Sequence, residues 1–462
     1  MVSVKFIVLL IIAGIVSYIS YGLFATVPLP DIDLEEWWGP EELKLKQDTS
    51  IRPFRVNFTE PVIKDLKYRL RSLRPLPQTL KGINSEYGFN SKELDNWVKY
   101  WAEKYDFGER EKYINQFPQY KTNIQGLDIH FVRVKAKDTA NKEVIPLLIL
   151  HGWPGTPLEF YDAIRDLIAV SKDRDYVLEV IAPSLPGYGF SDAAIRPGLG
   201  PDKMAIIFRN LMHRLGYKKY YLQGGDFGAI TASNMATFFP NEVLGYHSNA
   251  VYVHTPLIFF ITLLGSIYPP MVMRADVVDR VYPLSKLLTL YLEESGYFHL
   301  QATKPDTVGV ALSDSPAGLA AYMLEKISIG TRFEHKYLAD GGLPMFYTKD
   351  QLLDNIMVYW ITNSMTSAMR IYSETFNKRY VGLRMNDIPT PVPVCVMQTR
   401  CEVTYLPPWL IRLKYPNLLN ESVVPDGGHF IAMEAPKLFA RDLLEAVSTI
   451  REWRRSKGRT EL

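Results

Sequence analysis

The sequence predicts an α/β fold, with a helical lid inserted in a mostly parallel sheet and with a helical segment and a single membrane anchor ahead of it. Three observations carry this. Unbroken apolar runs such as Pro146-Leu147-Leu148-Ile149-Leu150 have the texture of strands buried on both faces. Helically spaced stretches lie between those runs, the alternation that builds a parallel sheet with right-handed crossovers. From about Asn249 to Arg384 the strand texture is missing and the chain reads as helical, and then the texture returns.

The bulk numbers fit one large domain with appended segments. The chain has 462 residues, 47% hydrophobic and 13% aromatic, which excludes a disordered chain and calls for a substantial core. Its formal charge of +2 leaves no nucleic-acid surface, and the basic tail Arg451 to Arg459 reads as the solvated end of a last helix. With only Cys395 and Cys401 there is no disulfide framework; two reduced thiols are expected, with a local bridge as the alternative.

In chain order, Phe6 to Ala25 is uncharged and dominated by Ile, Leu, Val and Phe. About 20 residues at ~1.5 Å rise match the ~30 Å hydrocarbon thickness, so an uncleaved membrane anchor is favoured over a signal peptide, whose apolar region is shorter. Leu34 to Pro53 reads as a connector that places Trp37 and Trp38 near headgroup level. Helical spacing follows over Pro61 to Leu73 and Ser91 to Tyr105, with Leu94, Val98 and Trp101 on one face. Strands are expected at Ile129 to Val134, Pro146 to Leu150, Val177 to Ala182 and Tyr217 to Leu222. Helices are expected at Leu158 to Val170, Lys203 to Leu215 and Ala229 to Phe239, and late strands at Val392 to Met397 and Glu421 to Val424. The expected division is an anchor over 1–27, a helical segment over 28–123, a core over 124–248 and 385–462, and a lid over 249–384. Inside the lid, Leu257 to Leu264 is too short to span a bilayer and reads by default as a buried helix. A face that dips into the lipid interface is the alternative.

Candidate chemistry starts at Gly224-Gly225-Asp226-Phe227-Gly228, where a strand runs into a helix. This is the small-x-nucleophile-x-small pattern of the strained elbow in α/β-hydrolases, with a carboxylate where a serine usually stands. Read alone, it is equally a glycine-rich turn with an acidic tip. Its company favours the first reading. His151-Gly152-Trp153-Pro154-Gly155 follows a buried strand, where a loop can supply a backbone N–H to an oxyanion hole. The donors would be Trp153 and Phe227. Pro183 to Asp192, rich in glycine and proline, suits a tight wall beside the site. His429 sits on a Gly-Gly turn past the last strand, and Glu402 follows strand Val392 to Met397. Nucleophile, acid and histidine come in the order expected of this fold.

With these residues in view, the chain resembles the microsomal epoxide hydrolase family, and within it the insect juvenile hormone epoxide hydrolases. The stretch Ser295-Gly296-Tyr297-Phe298-His299-Leu300-Gln301-Ala302-Thr303-Lys304-Pro305-Asp306-Thr307-Val308-Gly309 is the most specific part of the likeness, which spans nearly the whole chain. The resemblance implies Asp226 as nucleophile, His429 as base, Glu402 as its charge partner, and Tyr297 and Tyr372 as the lid tyrosines that hold the epoxide oxygen. It also implies a lipophilic epoxide and water as reactants, no metal or organic cofactor, and an anchor in the endoplasmic reticulum membrane with the catalytic domain facing the cytosol.

The residue types suit that chemistry. A strained saturated carbon needs backside attack by an anion, and a carboxylate is already ionised near neutral pH. Two phenols can donate to the oxygen as the ring opens. The product ester then needs water activated by a histidine and donors for the oxyanion. Terpenoid hormone and xenobiotic epoxides both fit. Haloalkane dehalogenation is a rival, but it calls for a halide donor next to the nucleophile, and Phe227 offers none. A catalytically dead hydrolase-like binding protein is the remaining alternative, although all three catalytic positions carry competent residues.

Overall fold

The computed structural model describes residues 27–458. A short strand β1 (Arg52–Phe54) precedes helices α1 (Glu60–Arg71), α2 (Ser91–Glu103) and α3 (Phe107–Ile114). The side chain of Asn90 accepts from the Lys92 N–H to cap α2, and Leu94, Val98 and Trp101 are buried on one face as their spacing predicts.

The hairpin strands β2 (Gln119–Ile124) and β3 (Leu127–Lys135) are followed by β4 (Glu143–Leu150), α4 (Tyr161–Leu167), β5 (Tyr176–Pro183) and α5 (Pro201–Arg214). Then come β6 (Tyr220–Gly224), α6 (Asp226–Phe238) and β7 (Val243–Ser248). The nine-stranded sheet has the order β1-β2-β3-β5-β4-β6-β7-β8-β9, where β8 is Val394–Gln398 and β9 is Leu418–Val423. From β5 onward the pairing is parallel, while β1, β2 and β3 join antiparallel. The period-2 alternation of β4 sends Leu147 and Ile149 to one core and Leu148 and Leu150 to the other, so an apolar run is what a strand covered on both sides requires. β1, β2 and β7 were not expected from the sequence.

Between β7 and β8 the chain builds only helices: α7 (Pro256–Gly265), α8 (Leu284–Glu294), α9 (Gly296–Thr303), α10 (Pro305–Asp314), α11 (Pro316–Thr331), α12 (Lys349–Thr362), α13 (Met365–Thr375) and α14 (Lys378–Gly382), with short 3-10 turns. After β8 come α15 (Pro408–Lys414), β9, α16 (Ile431–Glu434) and α17 (Pro436–Ser456). The architecture is that of an α/β hydrolase whose lid is one insertion.

Two expectations are corrected. Trp37 and Trp38 are buried in the protein, because the backbone N–H of Trp38 donates to Gln125 O and the Arg196 guanidinium lies over the Trp38 ring. They are therefore not available to headgroups. The run Leu257 to Leu264 does form a helix, but that helix is not buried: Phe259 is 72% exposed, and Phe260, Leu263 and Leu264 are about half exposed. It is apolar all round, and the helix buries only Ile258 and Gly265, so the other faces point outward. Cys395 and Cys401 are free and buried, as expected. The anchor expected at Phe6 to Ala25 lies outside the described residues, among which no helix is long and apolar enough to cross a membrane.

Candidate active site

β6 ends at Gly224 and α6 begins two residues later, so the chain turns sharply at Asp226. Asp226 holds φ at +49°, a left-handed conformation that costs a side-chain-bearing residue energy and persists only where the surroundings enforce it. They do so by close approach. A Cβ on Gly228 would come 2.1 Å from Leu150 O, and one on Gly152 would come 2.3 Å from Asp226 Oδ1. The glycines are thus required by contact, and they let the elbow press against the loop after β4.

That loop delivers the first donor. The Trp153 N–H donates to Asp226 Oδ1 at 2.8 Å, and the Phe227 N–H bonds the same carboxylate. Both N–H groups expected to form an oxyanion hole therefore converge on Asp226. Burial pushes the Asp226 carboxyl up, opposed by His429 and by the two amides.

His429 comes from the turn after β9, fixed by its own N–H donating to Gly330 O at 2.7 Å. Its Nδ1 lies 2.8 Å from Glu402 Oε2 and its Nε2 lies 3.6 Å from Asp226 Oδ2. Burial pushes the imidazole down, but the Glu402 and Asp226 carboxylates outweigh it and leave His429 raised to about 10. Glu402 Oε1 accepts from the Val403 N–H at 2.8 Å and from the Tyr252 hydroxyl at 3.3 Å.

The lid brings the two tyrosines to this point. Tyr297, on α9, stacks on Trp153 with ring centroids 5.4 Å apart, and Tyr372, on α13, meets Tyr297 edge to face at 6.1 Å and Phe227 at 4.6 Å. Burial and the Asp226 carboxylate hold both hydroxyls above the usual tyrosine value, so both stay protonated and able to donate. The wall loop packs where expected: the Ser367 hydroxyl donates to Gly187 O at 2.6 Å and the Gly189 N–H donates to Ser364 Oγ at 3.1 Å, which ties the loop to the start of α13. All seven residues singled out in the sequence thus meet in one place.

Three residues at the site went unread. Tyr252 supports Glu402 across 150 residues of sequence. Glu434, buried on α16, accepts from the Gly428 N–H at 2.9 Å and the Phe430 N–H at 3.1 Å, bracketing His429, and pairs with Arg332 at 2.8 Å. Glu159 is buried near Gly155, and its carboxyl is pushed up to about 7 by burial. Only Glu434, five residues after His429, lies close enough in sequence for a motif to have flagged it.

Fold and site define an α/β hydrolase with a carboxylate at its elbow. The family model described as "Epoxide hydrolase N terminus" matches residues 51–160, and that described as "alpha/beta hydrolase fold" matches residues 145–292. The chain is 52% identical to a juvenile hormone epoxide hydrolase of Bombyx mori over 98% of each chain. It is 38% identical to epoxide hydrolase 1 of Oryctolagus cuniculus, over 96% of this chain and 98% of the relative. The crystal structure of the Bombyx mori juvenile hormone epoxide hydrolase superposes with a TM-score of 0.91 at 54% identity, covering 92% of this chain and 100% of that one. An Aspergillus niger epoxide hydrolase, at 24% identity and a TM-score of 0.72, shares the fold. The chain belongs to the microsomal epoxide hydrolase family, and it is an epoxide hydrolase.

Proposed function

We propose that this enzyme opens a lipophilic epoxide of the juvenile hormone type, a sesquiterpenoid, to a vicinal diol through an ester on Asp226. The observation that supports this most is the division of labour at the Asp226 carboxylate: one oxygen accepts from Trp153, and the other faces His429 Nε2. In the first step Oδ2 forms a bond to an epoxide carbon. The ring C–O bond breaks toward oxygen, which takes a proton from Tyr297 or Tyr372. Oδ1 becomes the ester carbonyl oxygen, already bonded by the Trp153 amide, with the Phe227 amide on the same carboxylate. In the second step the imidazolium first returns a proton to the phenolate left by ring opening. The neutral His429 then takes a proton from water as its oxygen bonds to the ester carbon, and the oxyanion rests on those amides. Collapse breaks the bond between that carbon and Oδ2, and the departing alkoxide takes the proton of the acid it leaves, which releases the diol and restores the carboxylate.

The charge on Asp226 ties the two steps together. While it is a carboxylate it favours the imidazolium of His429; esterification removes that charge and lets the imidazole lose its proton and act as base. Glu402 holds the ring orientation throughout.

Phe6 to Ala25 would hold the enzyme in the endoplasmic reticulum membrane as a single-pass anchor, with the catalytic domain facing the cytosol. Its uncharged length of about 20 residues supports this, as does kinship with epoxide hydrolase 1. The proposal is tested with His429→Gln in a single turnover. Ring opening should persist while the protein gains the mass of one substrate and stalls. An unmodified protein with no burst would sink the assignment of His429 to the second step.

A further inference from the structure

The site leaves one feature unused: the outward face of α7 and of the segment that follows it. From Pro256 to Met273 the chain carries no Asp, Glu, Lys or Arg. Phe259, Phe260 and Leu264 on α7, and Ile267 and Met271 just beyond it, are exposed by 47% to 82%. Single exposed apolar side chains are ordinary, but a run of them without a charge marks a surface meant to be covered.

We propose that this face seats in the acyl region of a lipid bilayer. Its polar atoms are already satisfied from within. The Thr262 hydroxyl donates to Ile258 O at 2.8 Å and the Ser266 hydroxyl to Leu263 O at 2.6 Å, so the helix can leave water without stranding these donors. On the inner side the Tyr282 hydroxyl donates to Thr262 O at 2.8 Å and the Trp409 indole N–H to Val272 O at 2.9 Å, tying the segment to the body of the protein. Tyr268, 59% exposed, has the amphipathic character of a residue at headgroup depth. At ten residues, α7 is too short to span and suits an interfacial helix buried ~5–10 Å deep.

Lipid is the occupant the chain itself indicates. The uncharged stretch Phe6 to Ala25 stands immediately before the described residues and, on the reading given above, keeps the enzyme at a bilayer. The proposal rests on that reading. It also gives the face a purpose. A lipophilic epoxide dissolves in that bilayer, and the face would bring the lid, whose helix α9 carries Tyr297, to the phase that holds the substrate.

The test uses the full-length chain in phosphatidylcholine vesicles. Leu264→Cys is labelled with an environment-sensitive nitrobenzoxadiazole, with unsubstituted protein as the blank because Cys395 and Cys401 are buried. Val170→Cys, in the loop before β5 at the opposite end of the parallel strands, is the aqueous control. The label at 264 should emit to the blue of the label at 170 and lose intensity when the acyl chains are brominated, while the label at 170 does neither. Water-like, unquenched emission at 264 overturns the proposal. Blue-shifted emission that bromine leaves unchanged also overturns it, because a second copy or the chain's own N-terminal segment then covers the face. Flotation of the same samples scores the anchor separately. Protein that floats with a water-like label refutes only the α7 face, and protein that does not float refutes the anchor and the face with it. Diol formation, measured alongside, reports on the enzymatic reading independently of both.

Discussion

Replacing Glu434 by Gln probes the support behind His429, the proposed base. Its carboxylate accepts from the amides on both sides of His429 and pairs with Arg332 from the lid. The amide keeps the volume but offers one acceptor oxygen instead of two, so at least one of the Gly428 and Phe430 N–H groups loses its partner. Leaving such a buried donor unsatisfied costs about 1–3 kcal/mol. Arg332 retains its second pairing, with Asp426, so the loss should stay below the ~3–5 kcal/mol of a fully broken buried pair. The fold should therefore survive with a lowered melting temperature. The kinetic effect should be selective: displacing the imidazole by about 1 Å can cost ~100-fold in the step that uses it, and ring opening does not. Rapid-quench kinetics would resolve the two steps, with rates taken per folded molecule. We expect ring opening near the wild-type rate, ester hydrolysis slowed about 10- to 100-fold, and accumulated ester visible by mass. If both steps fall by the same factor, or if hydrolysis is unchanged, Glu434 does not position His429.

Other outcomes follow from the same geometry. Asp226→Asn should abolish ester formation, since a neutral amide is a poor nucleophile; wild-type turnover in protein shown by mass to be free of deamidation would contradict this. Tyr297→Phe and Tyr372→Phe should each slow ring opening, and the double variant severely, read as single-turnover rates; an unchanged rate for either single variant would remove that phenol from the reaction. His429 also makes stability depend on pH. Its folded value of about 10 lies above its ordinary 6.5, so the contribution is fully present below 6.5 and is lost as the pH rises through 10. Between those limits wild type should lose up to about 1.4 kcal/mol per pH unit relative to His429→Gln, and parallel melting curves for the two proteins would refute it.

The sequence revealed the parts of the structure whose signal is local. β4 and β5 are covered on both faces, so their composition alone marks them. The elbow and the loops that carry Trp153 and His429 are marked by glycines that close contacts require. β7 was hidden because its burial is partly polar and partly vacant: Gly245 makes room for Ile450, and His247 pairs with Asp442. β2, Gln119–Ile124, reads as polar, although its Thr122 is fully buried. Tyr252 takes its role from a contact made only once distant segments meet, which no spacing encodes, and Glu434 adds to its local bonds a pairing with Arg332 that is equally distant in sequence. Hydrophobicity mispredicted the α7 run because it reports a preference to leave water, while burial within the protein also needs a neighbour.

The two amides that hold the Asp226 carboxylate also bear on inhibitor design. In a serine hydrolase the oxyanion hole stands ready for an incoming acyl oxygen, so boronates and other small anions can be drawn into it. Here the N–H groups of Trp153 and Phe227 already bond the enzyme's own carboxylate. Such an anion meets a filled hole and a like charge. Selective ligands must instead engage the phenols of Tyr297 and Tyr372 as hydrogen-bond acceptors, as ureas and amides can, while leaving the carboxylate in place.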